Sequence, residues 1–187
     1  MEDKIPLSGK TIWQEAMKYG ILLGGATILA ELSVSFLSNL AAGRPGISAV
    51  IPFMLNLCKL ALCVYLMVVI AKKMMAGYEG FRHREAVSFL VKLSLFSSLI
   101  VAAWQLVTLK LISPDQINDA IETAMSQMKG ITARQSEEIM TMIKNSLPYW
   151  IFIVKFLICF IIGLIAAYAI PRSVQGLSDN NPFENRP

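Results

Sequence analysis

Apolar residues along this chain gather into four long runs separated by short polar stretches. The runs cover about 17–40, 48–71, 86–112 and 147–170, and each exceeds the ~20 residues a helix needs to cross about 30 Å of hydrocarbon. Four transmembrane helices are predicted. Gly43-Arg44-Pro45-Gly46 is too dense in breakers to continue a helix, so spans one and two form a tight hairpin. Lys72 and Lys73 close span two, and a polar loop through Arg82 and Arg84 leads to span three. Pro171 is expected to stop span four, leaving 171–187 as a disordered cytoplasmic tail with too little apolar area to fold.

Between spans three and four the pattern becomes amphipathic over 114–146. Ser113-Pro114-Asp115-Gln116 reads as an N-cap, a first-turn proline and a capping-box glutamine. Ile117, Ile121, Met125 and Met128 follow at helical spacing. Thr132 with Gln135 forms a second box ahead of Ile139, Ile143 and Leu147. These segments predict two short external helices, or one interrupted helix, lying on the membrane or capping the bundle. The fold class is therefore all-α. We expect one polytopic membrane domain over 1–170, with four transmembrane helices and amphipathic external helices between spans three and four.

Lysine and arginine set the orientation. The stretch through Lys18 holds three, and the loop between spans two and three holds four, whereas the first turn holds only Arg44. The long third connection balances Lys129, Arg134 and Lys144 against more numerous acids. The positive-inside rule then predicts N-in, C-in.

Composition agrees: 55% of residues are apolar and 16% charged, whereas soluble domains carry about a quarter charged. The net charge of +4 flanks apolar runs, which points to anionic lipid headgroups and away from nucleic acid. Lys72, Lys73, Arg82 and Arg84 are the candidate headgroup-binding residues. Cys58, Cys63 and Cys159 lie within apolar runs and read as buried free thiols, with no disulfide framework.

Each span carries a stripe of small and polar residues. In span one Gly20, Gly24, Thr27, Glu31, Ser35 and Ser38 recur every three or four residues and share one face. Gly20, Gly24 and Thr27 form a candidate helix-packing face and a route to self-association. The other stripes are Pro52, Asn56, Lys59 and Cys63; Ser94, Ser98, Ala102 and Gln105; and Lys155, Cys159, Gly163 and Ala166. Pro52, Lys59 and Cys63 repeat the spacing of Pro148, Lys155 and Cys159, as an internal duplication would.

Glu31, Lys59 and Lys155 fall within about two helical turns of one another in depth. A charge at the bilayer centre costs ~2.5–3.5 kcal/mol, so these groups should face inward and pair. Glu31 is expected to be the counter-ion of Lys59, Lys155 or both. If it serves both, a positive surplus remains inside, relieved by a neutral lysine or by a bound anion such as a lipid headgroup. Lys92, nearer the cytoplasm, is expected to snorkel.

The chain lacks a phosphate loop, a nucleophile elbow and a histidine–cysteine metal motif. Its single histidine, His83, lies between Arg82 and Arg84. No cofactor, metal or catalytic residue is expected, and the protein is not expected to be an enzyme.

Four stretches carry a family resemblance: Tyr19-Gly20-Ile21-Leu22-Leu23-Gly24, Glu85-Ala86-Val87-Ser88-Phe89, Ile112-Ser113-Pro114-Asp115 and Asn181-Pro182-Phe183-Glu184. Through them the chain resembles the domain-of-unknown-function 4199 family of small four-span membrane proteins, found mainly in Bacteroidota. The resemblance implies a multi-pass protein of the bacterial inner (cytoplasmic) membrane and brings no catalytic residues. The leading expectation is a non-enzymatic structural or accessory component, with membrane lipids and a homo-oligomer or membrane-protein partner around it. The alternative is a small transporter or lipid-binding protein that uses the interior Lys/Glu cluster. A cavity reaching Glu31 and Lys59 favours the second, and a closed seam favours the first.

Overall fold

The computed structural model describes residues 5–6, 8–41, 50–79, 81, 83–112, 118–119, 121, 123 and 133–179. The turn at 43–46, the capping box at 113–116, Arg82, Met125, Met128, Thr132 and the chain from 180 onward lie outside them, as do the side chains of Ser38, Pro52, Gln135, Ile139 and Met140.

Helix α1 spans Gly9–Ala41 and α2 spans Val50–Gly77. Helix α3 spans His83–Val107 and continues as one π-helical turn over Thr108–Ile112. Helix α4 spans Ala133–Asp179. Apart from a two-residue parallel bridge, β1 (Ile5–Pro6) on β2 (Tyr78–Glu79), the described chain is helical. The bridge holds the start of the chain at the α2–α3 connection. All four helices contain segments long and apolar enough to cross a membrane: Gly9–Leu37, Phe53–Gly77, His83–Leu111 and Thr141–Pro171.

Helix α1 begins before its apolar run because Ser8 caps it. The Ser8 Oγ accepts the Lys10 N–H at 3.2 Å, and the Ser8 carbonyl accepts the Ile12 N–H at 3.1 Å.

Two expectations for α4 require correction. The second external segment is not a separate helix, and the helix does not stop at Pro171, where the membrane-crossing segment ends, but runs on to Asp179. Ala133–Asp179 is one helix of 47 residues with Pro148 and Pro171 inside it, about 70 Å long at 1.5 Å per residue. Proline removes one backbone hydrogen bond and kinks a helix, and packing on both sides of it restores continuity. Ile143, Leu147 and Ile151 form a single stripe across Pro148 and pack on buried Leu109 and Ile121. Breaking the helix there would uncover that cluster.

Helix α3 is the centre of the bundle. Half of its most apolar stretch is buried, against 17% or less for the other three. Phe89, Leu90 and Leu93 are fully enclosed and pack with Leu23 of α1, Met67 and Met74 of α2, and Ala167 of α4. Helices α1 and α4 pack extensively on α3, whereas α2 rests mainly on α1 and touches α4 only lightly.

Glycine permits the close approaches. A Cβ at Gly20 would lie 2.6 Å from the Phe96 Cβ, and one at Gly24 would lie 3.0 Å from the Ile100 side chain. The Gly20/Gly24 face is thus occupied by α3 of the same chain and is not free for the self-association expected of it. Gly25, one residue along, has open space around its missing Cβ. Overpacking costs ~1–3 kcal/mol and a helical Gly→Ala change returns up to ~1 kcal/mol. Gly20→Ala should therefore lower the thermal unfolding midpoint in detergent, and Gly25→Ala should leave it equal or higher. Equal shifts in both variants would contradict the packing.

The exterior is greasy. Leu22, Leu29, Phe36, Phe53, Tyr65 and Ile165 are each more than half exposed, while Ser94, Ser97 and Ser98 are buried. This distribution reverses that of a soluble bundle.

Candidate functional site

Three helices bring their charges together. The Lys155 Nζ of α4 donates to the Glu31 Oε1 of α1 at 2.6 Å. The Lys59 Nζ of α2 lies 3.5 Å from the same oxygen. All three side chains are 20–27% exposed, so the group is partly withdrawn from the surface. Glu31 Oε2 is buried without a hydrogen-bond partner among the described residues. One carboxylate therefore serves two ammonium groups, and a formal charge of one positive unit remains.

Helical register explains the convergence. Thr27 stands one turn before Glu31, donates to the Leu23 carbonyl at 2.8 Å and meets the Cys63 Sγ of α2 at 3.3 Å. Cys63 in turn stands one turn beyond Lys59, and Cys159 one turn beyond Lys155. Cys58 faces outward, while Cys63 and Cys159 are half-buried. Asn56, placed on the same stripe from its spacing, is exposed.

Where the four helices meet they leave a cavity of about 220 Å³. Glu31, Lys59 and Lys155 line it at one level, and Ser94, Gly163 and Ala166 line it at another. Gly163 is two turns beyond Lys155, so the two levels lie about 12 Å apart along the bundle at 1.5 Å per residue. Leu23, Val64, Met67 and Val101 give it an apolar wall. Leu60, Ile158 and Ile162 also line it, yet are 42%, 51% and 39% exposed. The cavity therefore opens sideways between α2 and α4, the pair that touches lightly.

Ser97 also lines this cavity, and the span-three stripe of Ser94, Ser98, Ala102 and Gln105 omits it. Its signal was present, since Ser97 and Ser98 adjoin and each follows Ser94 at helical spacing. The Ser98 hydroxyl turns back to the Leu95 carbonyl at 3.0 Å, whereas the Ser94 hydroxyl, pressed against Gly163, has no partner among the described residues.

The basic residues near the α2–α3 connection stay apart from this site. Lys72, Lys73 and Arg84 are exposed. Lys18 and Lys73 each sit 5.7 Å from the centre of the Tyr19 ring. Lys92 donates to the Ser88 hydroxyl at 3.2 Å and lies 5.0 Å from the Trp13 ring. Desolvation pushes up the pKa of the nearby Tyr78, with Glu15 and Tyr19 adding to the effect. At the opposite end Lys110, carried on the π-helical turn, donates to the Tyr149 hydroxyl at 2.7 Å.

The model of a family described as "Protein of unknown function (DUF4199)" matches residues 18–172. The chain belongs to this family. The DUF4199 match takes in every residue that lines the cavity. No curated protein and no solved structure matches the chain.

Proposed function

We propose that this DUF4199 chain is a four-span protein of a bacterial inner membrane, N-in and C-in, that binds or carries a small molecule without transforming it. The greasy exterior and the four apolar helices support the membrane setting. The positive-inside distribution supports the orientation. Exposed Lys72, Lys73 and Arg84, together with Arg82, would meet anionic headgroups, each worth about 1 kcal/mol near the surface.

The cavity is the observation that carries the binding reading. Two readings stood open: an accessory component whose polar stripes are a packing seam, and a transporter or lipid-binding protein. A seam that served packing alone would close over its charges, whereas a void reaching Glu31, Lys59 and Lys155 gives a ligand room beside them. The absence of chemistry is proposed because the one carboxylate lining the cavity is already engaged by Lys59 and Lys155.

Native mass spectrometry of the full chain, purified in mild detergent, tests this reading. We expect a small molecule retained at one per chain, and its loss in Ile158→Trp, which plugs the mouth from an exposed position. A bare chain travelling with a stoichiometric protein partner would return the accessory reading.

A further inference from the structure

We infer that the cavity takes an amphiphile with one anionic head and one acyl chain, the head on Lys59 and Lys155 and the molecule entering sideways between α2 and α4. This inference rests on the binding reading above and adds the ligand class to it.

Charge argues for the head. Two ammonium groups face one carboxylate, so a second negative group brings the cavity to neutrality, and a cation would add to the surplus. Lys59 is the residue free to turn. At 3.5 Å it holds Glu31 loosely, while Lys155 keeps that carboxylate satisfied at 2.6 Å. An ammonium–carboxylate or ammonium–phosphate contact in a half-dry site is a charge-assisted hydrogen bond and orients the ligand.

Shape and surroundings argue for the tail. The wall running on from the charges is formed by Val64, Met67, Val101 and Ile162, which suit hydrocarbon. A cavity of ~150 Å³ accommodates benzene, so 220 Å³ has room for a head and part of a single chain, but not for the two chains of a phospholipid. The mouth between Leu60 and Ile158 faces the direction from which a molecule dissolved in the bilayer arrives. The shared ligand chemistry is one anionic head on one chain, whether that head is a carboxylate or a phosphate monoester.

The test uses the full-length protein in neutral detergent with three ten-carbon probes: decanoate, decyl phosphate and uncharged decanol. Equilibrium titration should show at least one anion binding about tenfold or more tightly than decanol, a margin of about 1.4 kcal/mol. The tighter anion identifies the head. Lys59→Met should bring the affinity of that anion down to about that of decanol measured on the same variant, and Ile158→Trp should weaken all three probes. Lys59→Met keeps the Lys155–Glu31 bond, and Lys155→Met provides a second variant should it fold poorly. Decanol binding as tightly as both anions, or a margin that survives both lysine variants, overturns the anionic head while the binding reading stands. Failure of all three probes on a chain that also purifies bare overturns both.

Discussion

Glu31→Gln is expected to destabilise the folded chain by about 2–4 kcal/mol, somewhat under the ~3–5 kcal/mol of a fully buried ion pair that loses one partner, because the three side chains are only partly withdrawn. The glutamine keeps size and hydrogen-bonding atoms but deletes the only negative charge within reach of Lys59 and Lys155 in the cluster described. Two like charges then face each other across the cavity with only a neutral amide between them. Lys59→Met or Lys155→Met alone should cost less, because each leaves a one-to-one pair on Glu31. Adding both methionines to Glu31→Gln should recover most of the loss, since the interior then carries no charge at all. Thermal unfolding in detergent and abundance in membranes provide the readouts. A Glu31→Gln chain as stable as the parent, or a triple variant no better than the single, would show that these charges do not depend on one another.

The second large effect belongs to the α3–α4 contact. A Cβ added at Gly163 would fall 2.5 Å from the Ser94 Cβ, an atom fixed to the α3 backbone. Neither helix has a flexible side-chain end to move aside at this point. Gly163→Val should therefore cost about 3 kcal/mol, the upper part of the overpacking range. Ser94→Gly removes the obstructing atoms, and the double variant should be more stable than Gly163→Val alone despite ~1 kcal/mol of lost helix propensity. An unfolding midpoint that Gly163→Val leaves at the parental value would exclude the close crossing of α3 and α4.

What could be read from the chain was what depends on local pattern or on a steep energetic rule. The four apolar segments are local, and their length alone marks them. Glu31, Lys59 and Lys155 could be grouped because charge in hydrocarbon is costly enough to restrict where each side chain turns, and counting along each run gave a shared depth. Partners were harder to assign. Gly20 and Gly24 show that some helix comes close, but a stripe of small residues does not say whether that helix belongs to the same chain, and here it is α3. Continuity of α4 was hidden because Pro148 and Pro171 are strong local stop signals, whereas the stripe Ile143, Leu147 and Ile151 acts through packing on Leu109 and Ile121 from elsewhere in the chain. The π-helical turn that swings Lys110 onto Tyr149 left no mark in the residue pattern. A void is the least local feature of all. It arises because α2 sits loosely against α4 while α1 and α4 crowd onto α3, and no single helix encodes that difference.

Ligand binding here depends on an interior space, reachable from outside, whose lining carries a positive surplus. Cys63 and Cys159 line that space and Cys58 does not, so thiol chemistry reports on it directly in a Cys58→Ser chain held in detergent. The decisive quantity is the ratio of modification rates for two small methanethiosulfonates of equal size, one anionic and one cationic. Both thiols should react in the folded protein, the anionic reagent should be the faster, and Lys59→Met should erase its advantage. Thiols that stay silent until the chain unfolds, or a cationic reagent that leads, would contradict this reading.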